Sequence, residues 1–166
     1  MAEFDPIRES VTGRQAYFLD VPGTSSAAAL SVGSFKATEK MGAPSEVIIE
    51  VTHPARISRA DYLNLDATFS IVSDDGKPRK FSGFIERFST IQTTHDYVKY
   101  EIVLKSHFGR LAAVTRNKVF QHASTPDILA AILRGHGMRE HQFSFRLRHQ
   151  YVRHDFRMQH GMSDAA

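Results

Sequence analysis

In "YVKYEIVLK" (residues 97–105) Val98, Tyr100, Ile102 and Leu104 take every second position, with Lys99, Glu101 and Lys105 between them. A period of two belongs to a strand that buries one face and wets the other, and a helix cannot present it. The same beat returns in "EVIIEVTH", where Val47, Ile49 and Val51 oppose Glu46, Glu50 and Thr52 and only Ile48 falls out of step. In "ATFSIVS" it sets Ala67, Phe69 and Ile71 on one side; "AYFLDV" (16–21), "ALSVGSFKA" (29–37) and "KFSGFIERF" (80–88) are further short strand candidates. "PGTSS" and "GAPS" have loop composition, and Asp75-Gly76 predicts a tight hairpin turn. Gly83, inside a strand, predicts a bulge, a bend or a close backbone approach. Short strands at this spacing and with such turns predict a small barrel or sandwich, and closure of the sheet would hide edges that invite aggregation.

One helix is well signalled. In "STPDILAAILRGHG" Thr125 reads as the N-cap and Pro126 as the first helical residue, Asp127 faces the positive end of the dipole, and Gly135 or Gly137 ends the run. Ile128, Leu129, Ile132 and Leu133 form one apolar stripe, so the helix is expected to dock on the β core. "SHFGRLAAV" (106–114) reads as a shorter helical turn. After the main helix, "QFSFRLRHQY" (142–151) alternates again, with Phe143, Phe145 and Leu147 against Ser144, Arg146 and Arg148, and predicts another strand. The expected fold class is mainly β, with a small antiparallel β-barrel preferred, one docked α-helix and a C-terminal strand segment.

Several chemistries lack support. With 42% hydrophobic residues in 166 the chain can build a core, and no apolar run approaches a membrane span of about 18–20 residues. "MAEFDPIRES" places acidic residues where a secretory signal has a basic region, so cytoplasmic synthesis is the default. The absence of cysteine excludes a thiolate metal site and a cysteine nucleophile. No glycine-rich run opens a helix after a strand, and no nucleophile elbow exists, so Ser82 in "FSGF" reads as a structural strand serine. The Asp74-Asp75 carboxylate pair falls in a predicted turn, where aspartate serves turn geometry. No catalytic residue and no cofactor is assigned.

Charge is distributed unevenly. Between Arg134 and His160 six arginines face only Glu140 and Asp155, a net of +4, so the rest of this +3 chain sums to −1. The same stretch holds His136, His141, His149, His154 and His160, five of the nine histidines. Spacings of five or six residues along a strand spread ligands over ~16–20 Å, and none has helical i, i+4 placement, so no metal ligands are assigned. Arginines interleaved with aromatics in "FSFRLRHQYVRHDFR" suit either a protein–protein surface or a single-stranded nucleic-acid groove. Composition leaves both open, along with a plain solvent face. The interface residues expected on the first reading are Arg146, Arg148, Tyr151, Arg153, Phe156 and Arg157.

The order of these features resembles the N-terminal part of VgrG proteins, the spike proteins of type VI secretion systems, which are similar to the tail-hub proteins of contractile phages. "LSVGSFKATEKMGAPSEVIIEV" resembles the family's opening strand pair through Phe35, Glu39 and Pro44, and "RKFSGFIERF" its next strand through Phe81, Gly83 and Ile85. In "YVKYEIVLKSHFGRLAAVTRNKVFQHASTPDILAAILRGHG" the residues Tyr100, Leu104, Leu111, Phe120, Gln121, Ile128 and Leu133 fall in family order. "YVRHDFRMQHGMSD" is similar through Tyr151, Arg157, Gln159, Ser163 and Asp164. The similarity runs from Ala16 to Asp164. Departures are Lys118 for arginine, His160 for tyrosine, Met162 for glutamate, and Ala165-Ala166 for the apolar start of the next helix.

The resemblance implies an N-terminal arm (1–15), a first hub-like barrel (16–122), and a helix plus strand (123–166) leading toward a second barrel beyond the chain. It implies a structural role without enzymatic activity: the N-terminal hub part of a spike joining needle to tube in a contractile secretion machine, assembled in the cytoplasm and then injected. The implied partners are two further copies in a homotrimer, the tube protein, baseplate components and delivered effectors. The isolated chain is expected to be monomeric or weakly associating. A small basic barrel binding nucleic acid stands as the alternative, and a histidine-dependent metal site stands behind that.

Overall fold

The computed structural model describes residues 16–72 and 77–165. The 1–15 arm, the Asp74-Asp75 pair and the Asp75-Gly76 turn lie outside the described residues. The chain divides into two compact units, residues 1–106 and 107–166.

The first unit is a six-stranded antiparallel half-barrel. Its strands are β1 (Tyr17–Asp20), β2 (Ser31–Thr38), β3 (Glu46–His53), β4 (Asp66–Val72), β5 (Pro78–Thr93) and β6 (Val98–Lys105), ordered β1-β4-β5-β6-β3-β2 across the sheet. Alternation sets the register: Val47, Ile49, Val51 and His53 of β3 lie opposite Leu104, Ile102, Tyr100 and Val98 of β6, and all eight are buried. Each buried aliphatic residue contributes roughly 1.5–3 kcal/mol on leaving water. Val103 of β6 and Phe84 of β5 are buried on the opposite face, which strict alternation does not anticipate.

Aromatic rings organise the core in two chains. Tyr62, which is fully buried, stacks on Phe88 at 4.9 Å, and Phe88 meets Tyr100 at 5.0 Å. Tyr17, Phe35, Phe69 and Phe81 form the second, with centroids 5.1, 4.9 and 6.4 Å apart. Both buried phenols are used: the Tyr62 hydroxyl lies 2.7 Å from Ser26 Oγ, and Tyr100 accepts from the Ile57 amide at 2.9 Å. Burial pushes the Tyr62 phenol up from its ordinary range.

β5, at 16 residues, runs well beyond the stretch expected from "KFSGFIERF" and carries bulges at Ile85/Arg87 and Thr90/Gln92. Each bulge adds twist, which lets a long strand follow the curved wall. Gly83 makes a close approach: a Cβ there would lie 2.0 Å from the Lys105 carbonyl oxygen. The ladder is not closed by hydrogen bonds. Edge strands β1 and β2 meet through the Tyr17 and Phe35 rings instead. The edges stay short or irregular, β1 at four residues and β2 bulged between Val32 and Ser34, which blunts them as templates.

The second unit contains α1 (Gly109–Ala112), β7 (Thr115–Ala123), α2 (Thr125–Gly135) and β8 (His154–Ser163), with β7 and β8 paired antiparallel. The compact units divide after Ser106, and β7 pairs with β8 within the second. β7 was not legible as a strand, since "TRNKVFQHA" has no sustained alternation.

Two expectations are corrected. The N-cap of α2 is Ser124, not Thr125: the Ser124 amide donates to the Asp127 carboxylate at 3.1 Å, and the Asp127 amide donates back to Ser124 Oγ at 3.4 Å. This reciprocal box needs its acid three residues beyond the cap, and Asp127 satisfies that only for Ser124. "QFSFRLRHQY" forms no strand: a 3-10 turn covers Glu140–Gln142, Phe143–Leu147 carry no ladder, and the chain bends at Arg148–His149. Alternation supplies a face but not a partner, and among the described residues the segment joins no ladder.

Candidate functional site

The second unit is a helix against a two-stranded ribbon. Cross-strand neighbours point to the same side, so Phe120 with Arg157 and Lys118 with Gln159 define one face, and Val119 with Met158 and Gln121 with Phe156 define the other. The first face and the apolar stripe of α2 border a groove of about 270 Å³, lined by Phe120, Ile128, Leu129, Ile132, Met162 and Asp164. Lys118 Nζ sits 5.0 Å from the Phe120 ring centroid. The opposite face is uncovered: Val119, Met158 and Phe156 are all exposed, Phe156 at 69%.

Asp164 is the centre of the unit's polar structure. Its side chain is only 2% exposed. Oδ2 lies 2.7 Å from the Arg116 guanidinium of β7 and 2.7 Å from His136 Nε2 at the end of α2. Oδ1 accepts from Gln159 Nε2 at 3.0 Å, and the same amide donates to the Met162 carbonyl at 2.9 Å. Because a carboxylate only accepts, His136 Nε2 must carry the hydrogen. Arg116, 3.2 Å from that nitrogen, then bonds to the carboxylate and not to the ring. Burial alone would push the Asp164 carboxyl up; the bonds from His136 and Gln159 and the Arg116 charge outweigh it and hold the group below its ordinary range. Nearby, the Gly161 amide donates to Asn117 Oδ1 at 2.7 Å, with Gly161 at φ +59°, a left-handed conformation suited to glycine.

The six arginine and aromatic positions expected to form one surface are all exposed but do not share one face. Phe156 and Arg157 are neighbours on β8 and point to opposite sides of the ribbon, Arg157 over the groove, where it donates to His154 Nε2 at 2.8 Å. Arg153 Nε lies 4.0 Å from Asp127. Arg146, Arg148 and Tyr151 lie in the irregular segment before β8, where His149 stacks on Tyr151 at 5.0 Å.

The family-pattern positions separate by unit. Phe81, Gly83 and Tyr100 belong to the half-barrel's interior or its tight contacts, with Arg79 packed over the Phe81 ring at 5.0 Å. Phe120, Gln159 and Asp164 converge on the groove, while Gln121 stands exposed on the other face. Arg116 and His136, the partners of Asp164, were missed; they lie 48 and 28 residues from it, and nothing in the sequence marks the pairing. Ser82 hydrogen-bonds Thr68 across β4 and β5 at 3.1 Å, a structural strand contact. Among the described residues no three His, Asp or Glu side chains converge to hold a metal ion, and no helix is long and apolar enough to cross a membrane.

The family model for the phage tail baseplate hub matches residues 38–166. The spike protein VgrG2a of the type VI secretion system of Pseudomonas aeruginosa is 26% identical over 102 residues, 61% of this chain and 12% of that protein. VgrG3 of Vibrio cholerae is 21% identical over 110 residues, 66% of this chain and 11% of that protein. The chain thus spans about an eighth of the length of the curated relatives it matches. Among solved structures, the E. coli c3393 protein superposes with a TM-score of 0.79 at 28% identity, covering 89% of this chain and 40% of that one. That protein is described as a component of the type VI secretion system with structural similarity to the T4 bacteriophage tail proteins gp27 and gp5.

Proposed function

This chain belongs to the phage tail baseplate hub family, and from that premise we propose that it forms the N-terminal hub part of a VgrG-like spike in a contractile injection machine. The observation that carries the reading is the superposition over 89% of the chain on a type VI secretion component. In this reading the half-barrel is the first hub barrel, and the second unit leads toward a further barrel. The protein joins needle to tube as one subunit of a homotrimer, in contact with tube protein, baseplate components and effectors. It assembles in the cytoplasm and leaves with the machine.

The role is mechanical and not catalytic. A half-barrel transmits force through many backbone hydrogen bonds acting side by side across five strand interfaces. The buried carboxylate is occupied in the same spirit: Asp164 ties β7, α2 and β8 together and leaves neither oxygen without a protein donor. The surface facing partners is proposed to be the uncovered ribbon face with Phe156, together with the exposed residues Arg146, Arg148, Tyr151 and Arg153.

The test is tube-end capture. Tagged chain mixed with assembled tubes of the cognate injection machine should be found by electron microscopy at tube ends and not along tube walls. Chain that ignores tubes but binds single-stranded DNA with an affinity falling steeply with salt would replace the hub reading with the nucleic-acid one.

A further inference from the structure

Residues 143–147 carry the residue pattern of a strand but join no ladder among the described residues. Phe143, Phe145 and Leu147 alternate with Ser144 and Arg146, the pattern of an extended segment with one apolar and one polar face. Phe143 has extended backbone angles, φ −146° and ψ 151°, and the Phe143 and Phe145 rings meet at 5.7 Å, as i and i+2 side chains do on one strand face. Yet the segment joins neither sheet. Every residue from Ser144 to Arg153 is exposed, and that stretch holds three arginines and no acidic residue. Neither Arg146 nor Arg148 has an acidic partner among the described residues.

We propose that Phe143–Leu147 is a docking strand that pairs with an acidic edge strand of a different polypeptide, acidic side chains lying opposite Arg146 and within reach of Arg148 in the bend that follows. Backbone hydrogen bonds give such pairing its affinity, and cross-strand charge pairs give it register and selectivity. A second copy of this chain offers no acidic edge among the described residues. Among the described residues its free edges are β1, with Asp20 as the lone acid; β2, with none and Lys36; β7, with none and Arg116 and Lys118; and β8, with Asp155 against Arg157. Single-stranded nucleic acid fits less well. A nucleic-acid groove needs aromatics and cations on one face, whereas alternation puts Phe145 and Leu147 opposite Arg146, and His149 already occupies a face of the Tyr151 ring. The proposal rests on the hub reading only in requiring that other polypeptides surround this surface.

The experiment uses the whole chain and three probes: an eight-residue peptide alternating glutamate and valine, its lysine–valine counterpart, and a twelve-nucleotide oligo-dT. The glutamate peptide should slow amide hydrogen exchange within residues 143–147 by about tenfold or more. Arg146→Glu with Arg148→Glu should abolish that protection and transfer it to the lysine peptide. The milder pair Arg146→Gln and Arg148→Gln, with unchanged thermal unfolding, should weaken it without inverting it. Absence of protection, protection confined to β7 or β8, or stronger protection by oligo-dT overturns the proposal. Loss of tube-end capture with peptide docking intact would remove the hub reading alone, and the reverse result would remove the docking strand alone.

Discussion

Gln159 and Asp164 are joined by a 3.0 Å hydrogen bond that closes the end of β8 against its own following turn. The same Gln159 amide holds the Met162 carbonyl, so one side chain fixes the chain's path between the two residues. Removing the acceptor is the more costly change. Asp164→Ala strands Arg116 and His136 without their carboxylate and should destabilise the second unit by about 2–3 kcal/mol. Gln159→Met should cost about 1 kcal/mol. Amide exchange read separately for β7 and β8 distinguishes these from changes in the half-barrel, which a single melting curve would blend.

Acid should loosen the second unit through the same carboxylate. Asp164 is held below its ordinary range in the folded chain, so its contribution is complete above the unfolded value of about 3.9 and lost as pH falls through the folded one. The expected result is a fall in β7–β8 protection beginning below about pH 4, and a shallower fall in Asp164→Asn. Equal acid sensitivity in both proteins would assign the effect elsewhere.

Gly83 tests the tightest backbone contact in the half-barrel. Gly83→Ala places a Cβ 2.0 Å from the Lys105 carbonyl oxygen, and backbone cannot swing aside as a flexible side chain would. A loss of about 3 kcal/mol is expected, read as a lower denaturant midpoint with an unchanged slope.

The two possible helix caps separate cleanly. Ser124→Ala should destabilise α2 by about 1 kcal/mol because it breaks the reciprocal bonds with Asp127, while Thr125→Ala should be nearly neutral. Local exchange in Thr125–Gly135 is the readout, and the opposite ranking would restore Thr125 as the cap.

Tyr100→Phe removes the hydroxyl that accepts from the Ile57 amide while leaving the ring that packs on Phe88. The cost should be about 1–2 kcal/mol, and faster exchange of the Ile57 amide should accompany it.

Much of this is legible in the sequence. The period-two runs at 47–51 and 98–104 became the paired centre of the sheet because each residue's side of a strand is settled by its own position. The α2 stripe was legible for the same local reason. The candidate surface was not, since Arg146 and Phe156 can be read as neighbours in composition while the chain bends between them. β7 stayed hidden because its pairing with β8 lies more than thirty residues away and its own pattern is irregular.

By itself the sequence determined which faces are apolar, where helix α2 runs, that Gly83 marks a bulge, a bend or a close approach, and the family order of residues from Ala16 to Asp164. Only the tertiary structure decided which strands pair, that β1 and β2 meet through rings without a ladder, and that Arg116, His136 and Gln159 converge on Asp164. The reason is physical. Periodicity and propensity act over a few residues, whereas pairing and the burial of a charge depend on groups brought together from distant parts of the chain, at a closure cost no local pattern records.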